Sequence, residues 1–577
     1  MHGNSRNEIL GITASNSSGF ACTGNATSTF TGRPGRAGMN EESKEASDAT
    51  ASDSPGRQPP RLAPPKGVDP TEVAAGPIFD LTTAEGETES ERFLARLCRH
   101  SFLSLWSYPN TFTNEGVRED GASSGNEFAD VLVVFGDDVI LFSDKHIRFS
   151  EGVALDVAWP RWFKSAITKS VRQLYGAMNW AKRFPGRVYQ DAACNKPLPV
   201  PLPPPDRARF HLVATTRGLF VPCSKHFKGS LGTHQINTGI VGKDHHQHTF
   251  TIGVVEPRKQ FLHVFDEFSL EAVLRERDTA ADFIAYLKAR EELLTSGTVV
   301  IAAGEEQLLA AYMTNMRDGE HWFLPPQDGK SLPDILWFDE SHWRRLHERP
   351  EYKAKKVADR TSYLWDRLVD RFIKEGNPGI MGATTSNQDL EVALRIIASK
   401  SRFERRFLSD VLLAAFEMAK TRPDARRMRL FSTLQQPEVA YAFLIDPLLP
   451  GEDYAEYRRR RASFLQIYLQ CAKLRMPEAT TFIGMAFDHP VKDYAGYSED
   501  LAVYRLTEDA EVDLVELRRL ADDVGILAEN LPLQHSWTQD FPHQRPESPA
   551  APIPRSRKKA KGRNKMAKAS RRKNRRK

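Results

Sequence analysis

The feature that most constrains this chain is a pair of apolar runs, VLVVF at 131–135 and VILF at 139–142, separated by a Gly-Asp-Asp sequence at 136–138. Runs of β-branched and large apolar residues around so short a polar break are typical of two strands and a tight turn. The sequence therefore predicts a β-hairpin within residues 125–145, with the first strand beginning at Asp130 and the second ending at 143–145.

Charged residues lie at the outer ends of both runs. Glu127 and Asp130 precede the first run, and Asp144 and Lys145 follow the second. Because a hairpin brings these two ends together, we expect the four side chains at one end of an otherwise apolar pair of strands. The stability of a hairpin does not require them there, so their position suggests a function.

The length of the turn decides which of these side chains meet. With a two-residue turn, Asp130 lies opposite Ser143 and shares a face with Ser143 and Lys145, whereas Asp144 points away. With a three-residue turn, Asp130 lies opposite Asp144, and Lys145 leaves that face. Glycine at the first turn position suits a two-residue type II′ turn and favours the first register, which a bulge would alter.

The neighbouring segments predict helices and a further strand. Thr88-Glu89-Ser90-Glu91 is a capping-box pattern ahead of apolar residues at helical spacing. A second amphipathic helix is predicted over 160–183 and a strand over 209–216. The order helix, hairpin, helix, strand predicts a sheet packed by helices, in the α/β or α+β class.

This arrangement resembles the PD-(D/E)xK nuclease superfamily over about residues 88–290. The resemblance implies a restriction-endonuclease-like sheet flanked by helices and a metal-dependent nuclease acting on DNA. It also implies that Asp130 binds Mg²⁺ (or Mn²⁺) and that Lys145 positions or activates the attacking water. A carboxylate of the first helix, Glu91 (or Glu89), often joins such a site.

One residue departs from the family pattern. The position two before Lys145 holds Ser143 where the family has Asp or Glu. Carboxylates hold the hard cation that phosphodiester cleavage uses, and serine is a poor substitute. Three alternatives follow: Asp144 enters through a local irregularity, Glu127 and Glu91 supply the missing charge, or catalysis has been lost. In the last case the protein is a nucleic-acid-binding or scaffold module, and a plain hairpin with solvated acids is also compatible with the sequence.

The predicted helix 160–183 carries Lys169, Arg172 and Gln173 on one side. This set resembles the superfamily's helix that faces the substrate backbone, and the three residues are candidates for nucleic-acid binding. Taken alone, the same pattern also describes a solvated helix face.

The net charge of +5 comes from the end of the chain. Arg555–Lys577 contains 14 Lys or Arg residues and no acid, so the remainder has 66 basic and 75 acidic residues. Such a tail binds polyanions without sequence preference, and nucleic acid, a ribosome or an anionic surface would serve. A solvated, disordered tail is the alternative. An RNA-associated protein driven by the tail is therefore a third hypothesis.

Two other clusters require interpretation. Cys223-x-x-His226 and His245-x-x-His248 have a spacing that suits zinc, although a flexible polar loop is the default. Arg402, Arg405 and Arg406, with Arg458–Arg461, form basic patches on predicted helices that either contact phosphates or are solvated.

Composition shifts predict four regions: a disordered arm at 1–87, the nuclease-like domain at 88–295, a helix-rich mixed α/β domain at 296–530 and a disordered basic tail at 531–577. Five scattered cysteines without a CxxC pair fit a reducing cytoplasm. No apolar run reaches the ~20 residues that span a membrane. Oligomeric state is left open.

Overall fold

The structure is a computed structural model, and it describes the chain in ten ranges, which are 79–117, 124–228, 230–317, 320–325, 331–375, 387–433, 436–490, 498–506, 512–528 and 538–542. Most of the predicted arm at 1–87 and most of the predicted tail at 531–577 lie outside the described residues. No helix in the described ranges is long and apolar enough to cross a membrane.

The α-helices of the described ranges are α1 (Glu89–Trp106), α2 (Leu155–Phe163), α3 (Lys169–Arg183), α4 (Phe220–His226), α5 (Glu267–Glu276), α6 (Ala280–Leu294), α7 (Glu305–Thr314), α8 (His342–Glu348), α9 (Pro350–Ala358), α10 (Tyr363–Glu375), α11 (Asn387–Ala398), α12 (Arg402–Lys420), α13 (Tyr454–Cys471) and α14 (Leu514–Val524). The strands are β1 (Ser107–Thr113), β2 (Asn126–Phe135), β3 (Asp138–His146), β4 (Val188–Tyr189), β5 (Arg209–Arg217), β6 (Gln235–Val241), β7 (Thr251–Val254), β8 (Leu262–Asp266), β9 (Val299–Ala302), β10 (Asn315–Arg317), β11 (Glu320–Trp322), β12 (Ile335–Phe338), β13 (Arg427–Thr433), β14 (Gln436–Asp446), β15 (Thr481–Asp488) and β16 (Glu499–Arg505).

The largest sheet has the strand order β4-β1-β2-β3-β5-β8. Strands β1, β2 and β3 are antiparallel in succession, whereas β5 lies parallel to β3 and β8 lies parallel to β5. The parallel pair β3 and β5 is joined by the helical crossover that such a connection needs. The predicted α/β class is therefore confirmed as a mixed α/β architecture.

The hairpin has the favoured two-residue turn. Strands β2 and β3 pair from Val131 opposite Phe142 to Phe135 opposite Asp138, which leaves two residues in the turn. The first of them, Gly136, has a φ of 64°, which glycine adopts without the strain that a Cβ would cause. Continuing this register places Asp130 opposite Ser143, as predicted.

Helices cover both faces of this sheet. Ser143 contacts Gln173 of α3, whereas its neighbour Phe142 packs on Phe283 of α6, which also meets Phe102 of α1. Because adjacent strand residues point to opposite faces, α3 lies on one face, and α1 and α6 lie on the other.

The crossover helix is longer than predicted and contains a local irregularity. It begins at Leu155 rather than near 160, and a π-helical turn at Lys164–Thr168 joins α2 to α3. Such π turns occur frequently at functional sites because they rotate the following residues relative to a regular helix.

The predicted domain boundary at 295 is crossed by a sheet. Strands β6 and β7 lie before this boundary and β9 and β12 after it, yet they form one sheet of order β12-β9-β6-β7. One apolar core extends from Phe79 to Leu501, and a smaller core packs α13 and α14 against the sheet β13-β14-β15-β16. The two halves therefore share a core.

The predicted basic patch on α12 is buried. Arg402 lies 2.7 Å from Asp278 and 2.8 Å from Asp366, and Arg405 lies 2.6 Å from Asp366. Arg406 is also buried and paired. These arginines link helices through ion pairs, so both the phosphate-contact and the solvated-face interpretations are wrong for this patch.

A short segment of the predicted tail packs on the folded chain. Asp540 is 6% exposed and accepts a 2.6 Å hydrogen bond from Lys355 on α9. The backbone carbonyl of Asp540 accepts another hydrogen bond from Arg406. Part of the predicted tail, residues 538–542, is therefore among the described residues and contacts the folded chain.

Candidate functional site

Two acidic residues of β2 meet because the strand contains a β-bulge. Successive residues of β1 lie opposite Ala129 and then opposite Glu127, which leaves Phe128 as an extra residue. In a regular strand, residues three apart point to opposite faces, but a bulge reverses this alternation. The Glu127 carboxyl group is thereby brought into hydrogen-bond contact with that of Asp130.

Lys145 of β3 completes this group. Its Nζ lies 3.6 Å from Asp130 Oδ2, and its side chain is 27% exposed. Asp130 itself is buried, whereas Glu127 is exposed. Two carboxyl groups and one ammonium group therefore meet at one end of the hairpin, at the boundary between core and solvent, and we call them the Glu127–Asp130–Lys145 group.

The environment holds a proton on Asp130. Burial, followed by the hydrogen bond and the negative charge of Glu127, raises the pKa of Asp130 to about 8. Lys145 and the backbone N–H of Asp144 act in the opposite direction but do not outweigh these effects. A buried carboxyl group beside a second acid is a typical feature of functional sites.

Ser143 shares this face but points towards the crossover helix. Its Oγ lies 2.9 Å from Gln173 Oε1 and 3.1 Å from Ser170 Oγ, and Ser170 donates to the carbonyl of Ala166. Ser170 was not among the residues predicted for this site. Its distance of three residues from Gln173 places both on one helix face and could have identified it.

Asp144, a predicted catalytic and metal-binding residue, does not join the group. It lies on the opposite face, where its Oδ1 accepts a 2.6 Å hydrogen bond from Thr215 and lies 3.3 Å from the Arg217 Nε. The two-residue turn is the reason, because it puts Ser143 rather than Asp144 opposite Asp130, and adjacent strand residues point to different faces. Asp144 therefore links β3 to β5 within the interior.

Glu91, the predicted helix carboxylate, has a structural role. Its Oε2 accepts hydrogen bonds from the N–H groups of Glu87 and Thr88, at 2.8 and 3.3 Å, which confirms the predicted capping box. Within the described ranges, Asp130, Asp144 and Glu91 do not form a three-ligand metal cluster. Of the predicted acids, only Glu127 accompanies Asp130.

The predicted nucleic-acid-binding residues of α3 divide into two kinds. Lys169 and Arg172 are exposed, and neither is ion-paired with an acidic side chain in the described part of the chain. Gln173 is half-buried because its amide contacts Ser143. Residues 157–190 contain seven Lys or Arg residues and no Asp or Glu, a signal that was readable in the sequence.

The Cys and His residues of the predicted zinc segment do not form a metal cluster within the described residues. Cys223 is buried in α4, and its thiol contacts the carbonyl of Thr233 at 3.1 Å. Both ring nitrogens of His245 are occupied, by the Gly242 carbonyl and the Gly253 N–H. The default expectation of a flexible polar loop is also wrong, because α4, β6 and a 3₁₀ turn occupy this segment.

No family model, curated protein or solved structure matches the chain. The interpretation of the Glu127–Asp130–Lys145 group therefore depends on its own geometry and chemistry.

Proposed function

We propose that the protein is a metal-dependent nuclease that hydrolyses phosphodiester bonds of DNA. The observation that carries the proposal is the bulge in β2, which places the carboxyl group of Glu127 against that of Asp130 beside Lys145. Bulges next to active sites commonly redirect a side chain in this way. Of the three alternatives that Ser143 leaves open, this geometry favours Glu127 as the source of the missing charge.

The topology around the group supports the same proposal. A helix, α1, precedes three antiparallel strands, and a crossover helix then leads to the parallel strand β5. Helices cover both faces of the sheet. This order is compatible with the restriction-endonuclease-like core that the PD-(D/E)xK resemblance implies.

Asp130 and Glu127 fit a divalent cation such as Mg²⁺ or Mn²⁺. A buried carboxyl group whose pKa is raised to about 8 by burial and by a second acid is a place where a cation relieves charge repulsion. Mg²⁺ is commonly held by one or two carboxylates together with water and substrate phosphates, so two protein ligands suffice. When bound, the ion would stabilise negative charge on the scissile phosphate.

Lys145 contributes a positive charge at the same point. Its half-buried ammonium group, 3.6 Å from Asp130 Oδ2, can donate to a phosphate oxygen and stabilise charge that develops there. Ser143, held by Gln173, positions the end of β3 against α3. We infer that this contact fixes the end of the strand that carries Lys145.

The surface beside the group suits a polyanionic substrate. Lys169 directly precedes Ser170 and Arg172 directly precedes Gln173, so these exposed charges border the face of α3 that contacts Ser143 of β3. The acid-free stretch 157–190 provides further positive charge. Lys and Arg side chains bind DNA through its phosphates and release counterions.

Replacing Lys169 and Arg172 together by alanine is expected to weaken DNA binding most at low salt. The slope of log affinity against log salt should decrease in magnitude by about 2, since two phosphate contacts are lost. Fluorescence anisotropy across a salt series measures this slope. A matched control replaces Lys353 of α9 and Arg519 of α14, which are also exposed, by alanine. An equal decrease of the salt slope in the control would contradict the assignment of Lys169 and Arg172 as DNA-binding residues.

Deleting the basic tail distinguishes the nuclease proposal from the hypothesis that the protein binds RNA through its tail. Without Arg555–Lys577, which lies outside the described residues, DNA affinity is expected to decrease, and cleavage at low salt is expected to persist because the Glu127–Asp130–Lys145 group is intact. Cleavage and anisotropy assays on the same preparation measure both effects. Loss of all binding, to RNA and DNA alike, would favour the RNA-associated alternative.

A catalytically degenerate nuclease-fold protein is the second candidate. The hydroxyl group of Ser143 at the family's acid position, tied to Gln173, favours it, as does the placement of Asp144 on the other face. Such a protein would use Lys169 and Arg172 to bind nucleic acid without cutting it.

The experiment that tests the proposal compares substrates and metal ions. Supercoiled plasmid, single-stranded DNA and RNA are incubated with the full-length protein in Mg²⁺, Mn²⁺ or chelator. We expect cleavage of DNA with either ion and none with chelator. Tight binding without cleavage of any substrate would replace the nuclease proposal by the degenerate one.

A further inference from the structure

Three potential metal ligands converge on the other face of the main sheet. They are His211 of β5, His263 of β8 and Glu291 of α6, and one ligand atom from each lies within 4.8 Å of the other two. Val213 pairs with His263 across the parallel strands β5 and β8, so these two side chains share a face. His211 lies two residues before Val213 and therefore points to the same face. Glu291 lies on the helix that covers this face.

His211 is held in a form that leaves one nitrogen free to bind a ligand. Its Nε2 lies 2.8 Å from Asp138 Oδ1, and that carboxylate also accepts hydrogen bonds from Arg209 and Lys288. Because Asp138 is surrounded by cations, it is the acceptor and His211 Nε2 is the donor. The Nδ1 lone pair of His211 is then left buried, without a hydrogen-bond partner among the described residues.

His263 has a second buried nitrogen without a hydrogen-bond partner among the described residues. The residue is 0% exposed, and its Nε2 has no hydrogen-bond partner in the described part of the chain. Buried polar atoms are nearly always paired in folded proteins. The His211 lone pair and the unpartnered His263 nitrogen lie beside the Glu291 carboxylate, and a metal ion would satisfy all three groups once the His263 ring proton moves from Nε2 to Nδ1.

We propose that His211, His263 and Glu291 bind a divalent transition-metal ion, with Zn²⁺ as the best match. Two imidazoles and one carboxylate form an established zinc donor set with one open coordination position. The hydrogen bond from His211 to Asp138 is the outer-shell contact that usually orients a ligating histidine.

Two features set limits on the affinity. The ligand atoms must close from their present separations to the ~3.4 Å that bonds of about 2.0–2.1 Å to a tetrahedral ion require. Arg290 Nη1 also lies 3.3 Å from His263 Nδ1, where the ring proton moves when Nε2 binds a metal. This contact opposes binding, so we expect an exchangeable metal rather than one that survives prolonged chelation.

The proposed zinc site is separate from the Glu127–Asp130–Lys145 group. His211 lies opposite Ile140 near the start of β3, five residues from Lys145, which is about 17 Å along a strand. It also lies on the α6 face, whereas Ser143 faces α3. A metal there would join β5, β8 and α6, and the inference does not depend on nuclease activity.

The test measures metal content and stability of the full-length protein. Chelator-treated protein is equilibrated with Zn²⁺, freed of excess ion and analysed by mass spectrometry, and a parallel sample receives Co²⁺ for visible spectroscopy. We expect about one zinc per chain, a Co²⁺ spectrum typical of four-coordinate sites and a rise in melting temperature with Zn²⁺. In the variants His211→Gln and Glu291→Gln we expect no bound zinc, no four-coordinate Co²⁺ spectrum and no rise in melting temperature with Zn²⁺.

Further variants test the outer-shell contact and the specificity of zinc binding. Asp138→Asn is expected to weaken zinc binding about 10- to 100-fold by removing the outer-shell contact. His248→Gln, an exposed histidine outside the cluster, controls for adventitious binding and should behave as wild type. Circular dichroism confirms that each variant is folded. Equal zinc content in the wild type and in folded Glu291→Gln would overturn the assignment.

Discussion

Asp130→Asn is expected to stabilise the folded protein by about 2 kcal/mol at pH 8 while abolishing metal-dependent cleavage. The pKa of Asp130 is raised from its ordinary value near 4 to about 8, so between these values the native state binds a proton that the unfolded state lacks. The stability of the wild type therefore falls as pH rises from about 4 to about 8. Asparagine does not titrate, so the variant escapes this loss.

Urea denaturation at pH 5 and pH 8.5 measures the stability effect. The advantage of Asp130→Asn over the wild type should increase with pH. Asp156→Asn, an exposed residue on α2, is the matched control and should show no such trend. A difference between Asp130→Asn and the wild type that is the same at both pH values would contradict the buried, proton-sharing carboxyl group.

The same substitution should reduce cleavage by roughly 10³-fold or more. Loss of a metal ligand removes several kcal/mol of transition-state stabilisation, and each 1.36 kcal/mol corresponds to a tenfold change in rate. A gain in stability together with a loss of activity distinguishes a functional residue from a structural one. If Asp130→Asn lowered both the folding stability and the cleavage rate, Asp130 would be a structural residue.

Arg461→Leu is expected to destabilise the protein by about 3–5 kcal/mol, the largest loss that we predict for a single residue. Arg461 of α13 is fully buried, and it pairs with Asp488 at the end of β15 and with Asp500 of β16. Removing the guanidinium group leaves the buried Asp488 carboxylate without an ion-pair partner among the described residues and leaves Asp500 with Arg458 alone. Unpaired buried charges are among the most destabilising changes in proteins.

Thermal and urea unfolding of Arg461→Leu, compared with Arg459→Leu, measure this effect. Arg459 is the exposed neighbour on the same helix, and its replacement should change stability by less than about 0.5 kcal/mol. Similar losses in the two variants would indicate that helix propensity or solubility, rather than the buried ion pairs, determines the result.

Local signals in the sequence were sufficient for the hairpin. The two apolar runs and Gly136 determine strand, turn and register within about 20 residues, and the structure has that register. The capping box at Thr88 is equally local. The bulge at Phe128 was not predictable in this way, because it arises from the pairing of β2 with β1, and residues 107–113 give no clear strand pattern.

The environment of the arginine clusters, in contrast, was not predictable from local sequence. From the sequence alone, Arg458–Arg461 form a phosphate-binding or solvated patch, because charged residues are usually exposed. In the fold, Arg458 and Arg461 pair with acids on β15 and β16, and Arg460 pairs with Asp446. These acids lie about 14 to 42 residues away in sequence, so no local spacing identifies them. The three proposed zinc ligands are dispersed in the same way.

Cleavage of plasmid DNA in Mg²⁺ or Mn²⁺ by the wild type, Asp130→Ala, Lys145→Ala and the control Asp156→Ala tests the nuclease assignment. We expect cleavage by the wild type and the control and none by Asp130→Ala or Lys145→Ala, with all four proteins folded. Failure of the folded wild type to cut, or undiminished cutting by Asp130→Ala, would contradict the assignment of the Glu127–Asp130–Lys145 group as a nuclease site.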